Sequence, residues 1–327
     1  MVSFAMNDYL KTVEEVYAEA ARQPNADLCC TRSPLWHFPD LRIPPIMQEM
    51  NYGCGSTVDP RDLRGSDTIV YVGVGGGLEA LQFAYFTRRP GGVLAVDSVA
   101  EMRQRARANL EEAARLNPWF RPEFVTLLDG SALDLPVDNA SATVLGQNCL
   151  YNVFISEDFE RALAEVVRVL KPGGLFTSSD PITPEPLPPA FAANARLRAQ
   201  CISVCQTLEN YLGALTGAGF GRVEIRARFP YRYLDPREFP ELMKPVMLES
   251  IEIAAFKVPD GPDGPAVFSG RTATYVGPEP IFRDGRGHTL HRGAPTPVSD
   301  AAAIRLARHS EIVLTGPTWH VRGGGCC

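Results

Sequence analysis

A doubly wound α/β domain on a parallel sheet is the fold the sequence predicts, and three observations predict it. From residue 68 short apolar, β-rich runs alternate with longer runs of helical period; a string of glycines joins the first such strand to the first helix; and an acidic residue closes the second strand. Residues 68–74, 92–96, 124–128, 142–146 and 175–179 read as strands. Residues 78–88, 99–116 and 158–170 read as the intervening helices, the last stopped by Lys171-Pro172-Gly173-Gly174.

Ahead of this core, Tyr9, Leu10, Val13, Val16, Tyr17 and Ala20 share one helical face, and Pro24 ends the pattern. Residues 29–63 mix Pro, Gly and aromatics without period, so they are expected to wrap irregularly on something else. After the core strands comes a proline-dense loop, Asp180 to Pro189, then a helical stretch over 191–218 and a strand over 222–228. Beyond residue 230 the period weakens, with short strand-like runs at 272–276 and 312–314. The expected division is an N-terminal cysteine-bearing wrap over 1–64, the α/β core over 65–230, and a smaller α+β domain over 231–327.

Composition narrows the function. The chain has 327 residues, 45% hydrophobic and 21% charged, which is enough for a full core. Its net charge of −6 repels phosphate backbones, which argues against nucleic acid as a partner. The longest uncharged stretch, Asn139 to Ser156, carries Asn139, Gln147, Asn148 and Asn152 and is unsuited to a bilayer. The N-terminus lacks a basic n-region, so the expected location is the cytosol. There, the eight cysteines are expected to be ligands, nucleophiles or buried fillers rather than disulfides.

Gly73-Val74-Gly75-Gly76-Gly77 sits where a strand gives way to a helix, so its backbone allows a ligand to approach helix N–H groups closely. Asp97, 20 residues after Gly77, is placed to accept both hydroxyls of a ribose. A dinucleotide fingerprint asks for glycine at position 78, where Leu78 stands. The spacing resembles instead that of S-adenosylmethionine (SAM) methyltransferases. Two residues depart from that pattern: Tyr71 replaces an acidic residue, and Gly130-Ser131-Ala132 replaces Gly-Asp-Ala, leaving Asp129 and Asp134 as substitute carboxylates. The expected cofactor-binding residues are Gly73, Gly75, Gly77, Asp97, Ser131, Ala132 and Asn148.

Cys54 lies in a loop before the sheet, Cys149 follows the fourth strand, and Cys201 follows the proline loop that leaves the fifth. The last two belong to the carboxyl edge where α/β sites form, and the three thiols are expected to converge there. No CxxC pair points to a closed zinc site; the bland alternative for each thiol is a small buried side chain. The segments RIPPIMQEMNYGCGSTV, YVGVGGGLEALQFAYFTRRPG, GQNCLYNVF, SSDPI, RAQC and the ending TWHVRGGGCC together resemble the arsenite SAM methyltransferases, in particular the arsenosugar-biosynthesis type.

That resemblance implies a Rossmann-like class I methyltransferase core with SAM as cofactor. It makes Cys54, Cys149 and Cys201 the thiols that hold As(III), with Cys29 or Cys30 as an accessory thiol. A thiol-bound As(III) keeps a lone pair, so it attacks a sulfonium methyl without a general base. This accords with five histidines that show no motif spacing. Methyl transfer oxidises arsenic, so a thiol reductant, glutathione or thioredoxin, is expected as co-substrate. Cys326 and Cys327, after three glycines, are expected to capture arsenite and pass it inward. Methylation of another soft element or of a small thiol or amine, and non-catalytic sequestration of metalloids, remain alternatives; an NAD oxidoreductase is set aside by Leu78.

Overall fold

The computed structural model describes residues 8–26, 28 and 36–317. Its centre is a sheet in the order β3-β2-β1-β4-β5-β8-β7-β9. Strands β1 (Ile69–Val72), β2 (Val93–Asp97), β3 (Val125–Asp129), β4 (Ala142–Asn148) and β5 (Leu170–Thr183) are parallel neighbours, as the alternating pattern predicts. All four residues of β1 are buried, which a strand covered on both faces requires of its sequence. The covering helices are α3 (Leu78–Thr87), α4 (Ala100–Leu116) and α5 (Ser156–Val169). Helix α5 turns Phe159, Ala162, Leu163, Val166 and Val169 inward at helical spacing. Beneath it Phe176 stacks between Tyr151 and Phe220, with ring centres 5.9 and 5.8 Å apart.

The N-terminal helix α1 (Asp8–Arg22) and the short α2 (Pro45–Glu49) lie on the sheet's carboxyl edge and bury Val13, Ala20, Met47 and Met50. Among the described residues no helix is long and apolar enough to cross a membrane.

Two expectations are corrected. The main sheet does not stop near residue 230: β7 (Arg222–Leu234), β8 (Val246–Phe256) and β9 (Ala266–Phe268) complete it, with β8 antiparallel between β5 and β7. A buried run such as Ile251 to Ala255, lacking the alternation of a half-exposed strand, hides its period. The remaining C-terminal part has its own small core of Ala273, Tyr275, Leu290, Val298, Ala302, Leu306 and Ile312. It includes the strands Thr272–Tyr275 and Ile312–Leu314, both expected.

The second correction concerns residues 191–218, which are not one helical stretch. Helices α6 (Pro189–Ala192) and α7 (Ala195–Ala199) end in a turn at Cys201, where φ is +56°, and β6 (Gln206–Thr207) precedes α8 (Leu208–Gly217). The Thr207 hydroxyl caps α8 by accepting the Asn210 N–H at 3.3 Å. Thr207→Ala should lower stability by about 1 kcal/mol, read as a lower urea midpoint with an unchanged slope. An unchanged midpoint would show that the cap contributes nothing.

Candidate active site

The carboxyl ends of β1, β2 and β4 open into a cleft of about 1060 Å³ including its mouth. The glycine loop forms its floor: Gly73, Gly75 and Gly77 have φ of +79°, +52° and +89°, a conformation that side chains disfavour. Helix α2 presses from the other side, so a Cβ on Gly76 would meet the Met50 Cβ at 2.7 Å. Leu10, Val13, Glu14 and Tyr17 of α1 form the roof. That helix also reaches the Cys201 turn: the Tyr17 hydroxyl donates to the Ala199 carbonyl at 3.1 Å, and the Arg198 guanidinium lies 4.5 Å over the Tyr9 ring.

Of the expected cofactor residues, Gly73, Gly75, Asp97, Ser131, Ala132 and Asn148 line this cleft, and Gly77 does not but serves as the N-cap of α3. Asp97 Oδ1 accepts the Val99 N–H at 2.9 Å. Burial raises its carboxyl to about 6, against the partial relief of backbone N–H groups and Arg103. The two substitute carboxylates are corrected. Neither Asp129 nor Asp134 lines the cleft; Asp129 turns outward to Arg103 at 2.8 Å, because an exposed ion pair keeps it solvated.

The three cysteines are joined by a chain of contacts that passes through Ser179, a fully buried residue of β5. Cys54 Sγ lies 3.4 Å from Ser179 Oγ, and the Cys149 N–H donates to the Ser179 carbonyl at 2.7 Å. The Cys201 thiol in turn donates to the Cys149 carbonyl at 2.6 Å. Cys149 lines the cleft directly, whereas Cys54 and Cys201 sit behind it. Both Cys149 and Cys201 hold left-handed backbone, with φ of +59° and +56°, conformations uncommon outside glycine and a mark of functional turns. Among the described residues no three His, Cys, Asp or Glu side chains stand close enough to hold a metal ion, so the structure does not gather the three thiols into one ligand cluster. Cys205, whose thiol donates to the Cys201 carbonyl at 3.0 Å, stiffens the same turn. Cys29, Cys30, Cys326 and Cys327 lie outside the described residues.

Several residues organise the site, and of these Ser179, Glu79, Asp180 and Glu252 carry no motif signal. The loop bearing Cys54 is held by Asn148, whose Oδ1 accepts the Cys54 N–H at 3.0 Å and whose Nδ2 donates to the Gly55 carbonyl at 2.9 Å. Glu252, opposite Ser179 in the β5–β8 register, accepts the Ser56 N–H at 2.9 Å. Gly55 is required between them, since a Cβ there would lie 2.4 Å from Ser179 Oγ. On the cleft side Glu79 accepts the Thr57 N–H at 2.9 Å, the Thr57 hydroxyl at 2.8 Å and the Tyr71 hydroxyl at 2.8 Å. Burial raises the Glu79 carboxyl above its ordinary range, only partly offset by those donors. Near the end of β4, the Gln147 amide is bound by the buried Asp180, which also accepts the Tyr211 hydroxyl at 2.6 Å; Gln147 Oε1 takes the Leu150 N–H at 2.9 Å and so fixes the Cys149 turn.

Residues 70–178 match the family described as methyltransferase domain. The chain is 28% identical over 177 residues to an arsenite methyltransferase of Halobacterium salinarum, covering 54% of this chain and less than half, 43%, of that protein. It is 28% identical over 329 residues to an arsenite methyltransferase of Aquipseudomonas alcaligenes, covering 95% of this chain and 86% of the relative. Its fold resembles the crystal structure of an arsenic(III) S-adenosylmethionine methyltransferase from Chlamydomonas reinhardtii, with a TM-score of 0.62 and 22% identity over 89% of this chain and 99% of that one. The resemblance to the arsenite SAM methyltransferases is borne out by these comparisons, and so is the class I methyltransferase fold.

Proposed function

We propose that this chain, with a methyltransferase domain at its centre, methylates trivalent arsenic held by the thiolates of Cys54, Cys149 and Cys201. The observation that carries the reading is the contact path from Cys54 through Ser179 to Cys149 and Cys201, at the edge of the cleft floored by the glycine loop. The donor set suits the cofactor: left-handed glycines that admit a close ligand, and Asp97 at the second strand's end to accept ribose hydroxyls. Bound SAM supplies an electrophilic methyl on a sulfonium.

Three sulfur ligands suit a soft, pyramidal As(III) and leave its lone pair free to point into the cleft past Cys149. To bind it, the Cys201 thiol turns off the Cys149 carbonyl, and each sulfur replaces one hydroxide, which leaves as water with the thiol proton. The lone pair would then form the As–C bond as the methyl–sulfur bond breaks with its electron pair left on sulfur, releasing S-adenosylhomocysteine and taking arsenic formally to the pentavalent state. No side chain has to remove a proton in that step, and the chain's work is to hold arsenic in line with the methyl group. Return to As(III) takes two electrons, which a dithiol such as reduced glutathione pairs or thioredoxin provides by forming a disulfide. The methylated products serve detoxification or arsenosugar synthesis.

Incubation with arsenite, SAM and thiol, followed by mass speciation of arsenic, should yield methylarsenicals in amounts that rise with SAM consumed. Arsenite retained by the protein with SAM untouched would replace the reading by sequestration. SAM consumed without any arsenic–carbon bond would assign a different acceptor.

A further inference from the structure

We infer that Glu79 is a shared carboxylate: it receives the positive charge of the cofactor on one side and fixes the Cys54 loop on the other, so that cofactor binding and arsenic binding favour each other. The inference rests on the function proposed above, and it follows from where Glu79 stands. Glu79 is among the residues that line the cleft, with Tyr71, Asn148 and Cys149. Arsenic held against Cys149 must meet the methyl at that end, while Asp97 marks the ribose end. The sulfonium therefore lies at the Glu79 end.

Glu79 is buried, and the partners of its carboxylate are neutral: the Thr57 N–H and hydroxyl, the Tyr71 hydroxyl and the Asn148 side chain. A buried carboxylate held by neutral donors alone still favours a cation, and here the cleft is where one can arrive. The same oxygens hold Thr57, three residues beyond Cys54, while Asn148 holds Cys54 itself. A bound cation stabilises the ionised, hydrogen-bonded form of Glu79 and with it the placement of Cys54. By linkage, arsenic bound to a correctly placed Cys54 must then tighten cofactor binding by the same factor. Tyr71, which replaces the acidic residue usual at that strand position, joins this arrangement by donating to Glu79 at 2.8 Å.

The test uses two unreactive cofactor analogues on the full chain: sinefungin, cationic at the sulfonium position, and S-adenosylhomocysteine, neutral there. In the wild type, sinefungin should tighten arsenite binding at least about fivefold, and S-adenosylhomocysteine less. Glu79→Gln should erase both the preference for sinefungin over S-adenosylhomocysteine and the tightening of arsenite. Thr57→Val, which keeps the carboxylate and the backbone N–H contact but removes the hydroxyl contact to the loop, should retain the sinefungin preference and lose a measurable part of the tightening. Coupling that survives in Glu79→Gln, or an unchanged preference between the analogues in that variant, would overturn the inference. Should Glu79→Gln not fold, coupling retained in full by Thr57→Val overturns it instead. A wild type that binds no arsenite at all would refute the proposed function, while the analogue preference would still report on Glu79.

Discussion

Cys149→Ser should lower arsenite methylation by more than about a hundredfold, because one missing sulfur leaves a looser two-coordinate arsenic whose lone pair is no longer aimed, and misplacement by 1 Å alone costs that much. Serine is nearly the same size and tolerates the left-handed backbone, so the variant should fold and still bind SAM. Cys54→Ser and Cys201→Ser should be impaired on the same scale. Doubles should be hardly worse than singles, since the three sulfurs act as a unit. Initial rates of methylarsenite formation check this. Turnover close to wild type in Cys149→Ser would return that thiol to the role of a buried filler.

Asp97→Ala should weaken SAM binding about ten- to a hundredfold, the cost of leaving buried ribose hydroxyls without their acceptor, with arsenite binding unchanged. A pH dependence follows with a definite sign. Burial lifts the Asp97 carboxyl to about 6, and the hydroxyls need the ionised form. Affinity for SAM should therefore be flat above neutrality and fall as pH drops through about 6. The apo fold responds in the opposite sense, because the raised group binds its proton more tightly folded than unfolded: its cost to stability appears as pH rises from the ordinary carboxylate range and is complete above about 6. Calorimetric titration from pH 5 to 8 reads the first effect, and Asp97→Ala should lose the dependence. Equal SAM affinity at pH 5 and 8 in the wild type would detach Asp97 from the ribose.

Much of this site was legible in the sequence because its chemistry sits at punctuation. The glycine loop, Asp97 and the cysteines after strands four and five all occupy turns, where residue identity is set by backbone geometry or by a ligand. The residues that organise them were not legible, for a physical reason. Ser179, Asp180 and Glu252 lie inside strands and become polar partners only when β5 meets β4, across 31 residues from Asn148 to Ser179, and β8, across 73 from Ser179 to Glu252, pairings that leave no local period. Glu79 reads as an ordinary first-turn acid, a favourable helix feature anywhere, until Thr57 and Tyr71 are brought to it. The break at Cys201 was hidden by its helix-forming neighbours Ala199 and Gln200. Propensity there predicts a continuous helix, and the turn wins by burying Cys201 and Ile202.

The left-handed turns at Cys149 and Cys201 set stability and chemistry at odds. Glycine in place of either cysteine would relieve backbone strain worth about 1–2 kcal/mol while deleting a sulfur. Variants selected for heat resistance alone should thus accumulate Cys149→Gly and Cys201→Gly, whereas growth in arsenic should purge them. For an engineer, these two positions mark where a more robust chain and an active one are different sequences.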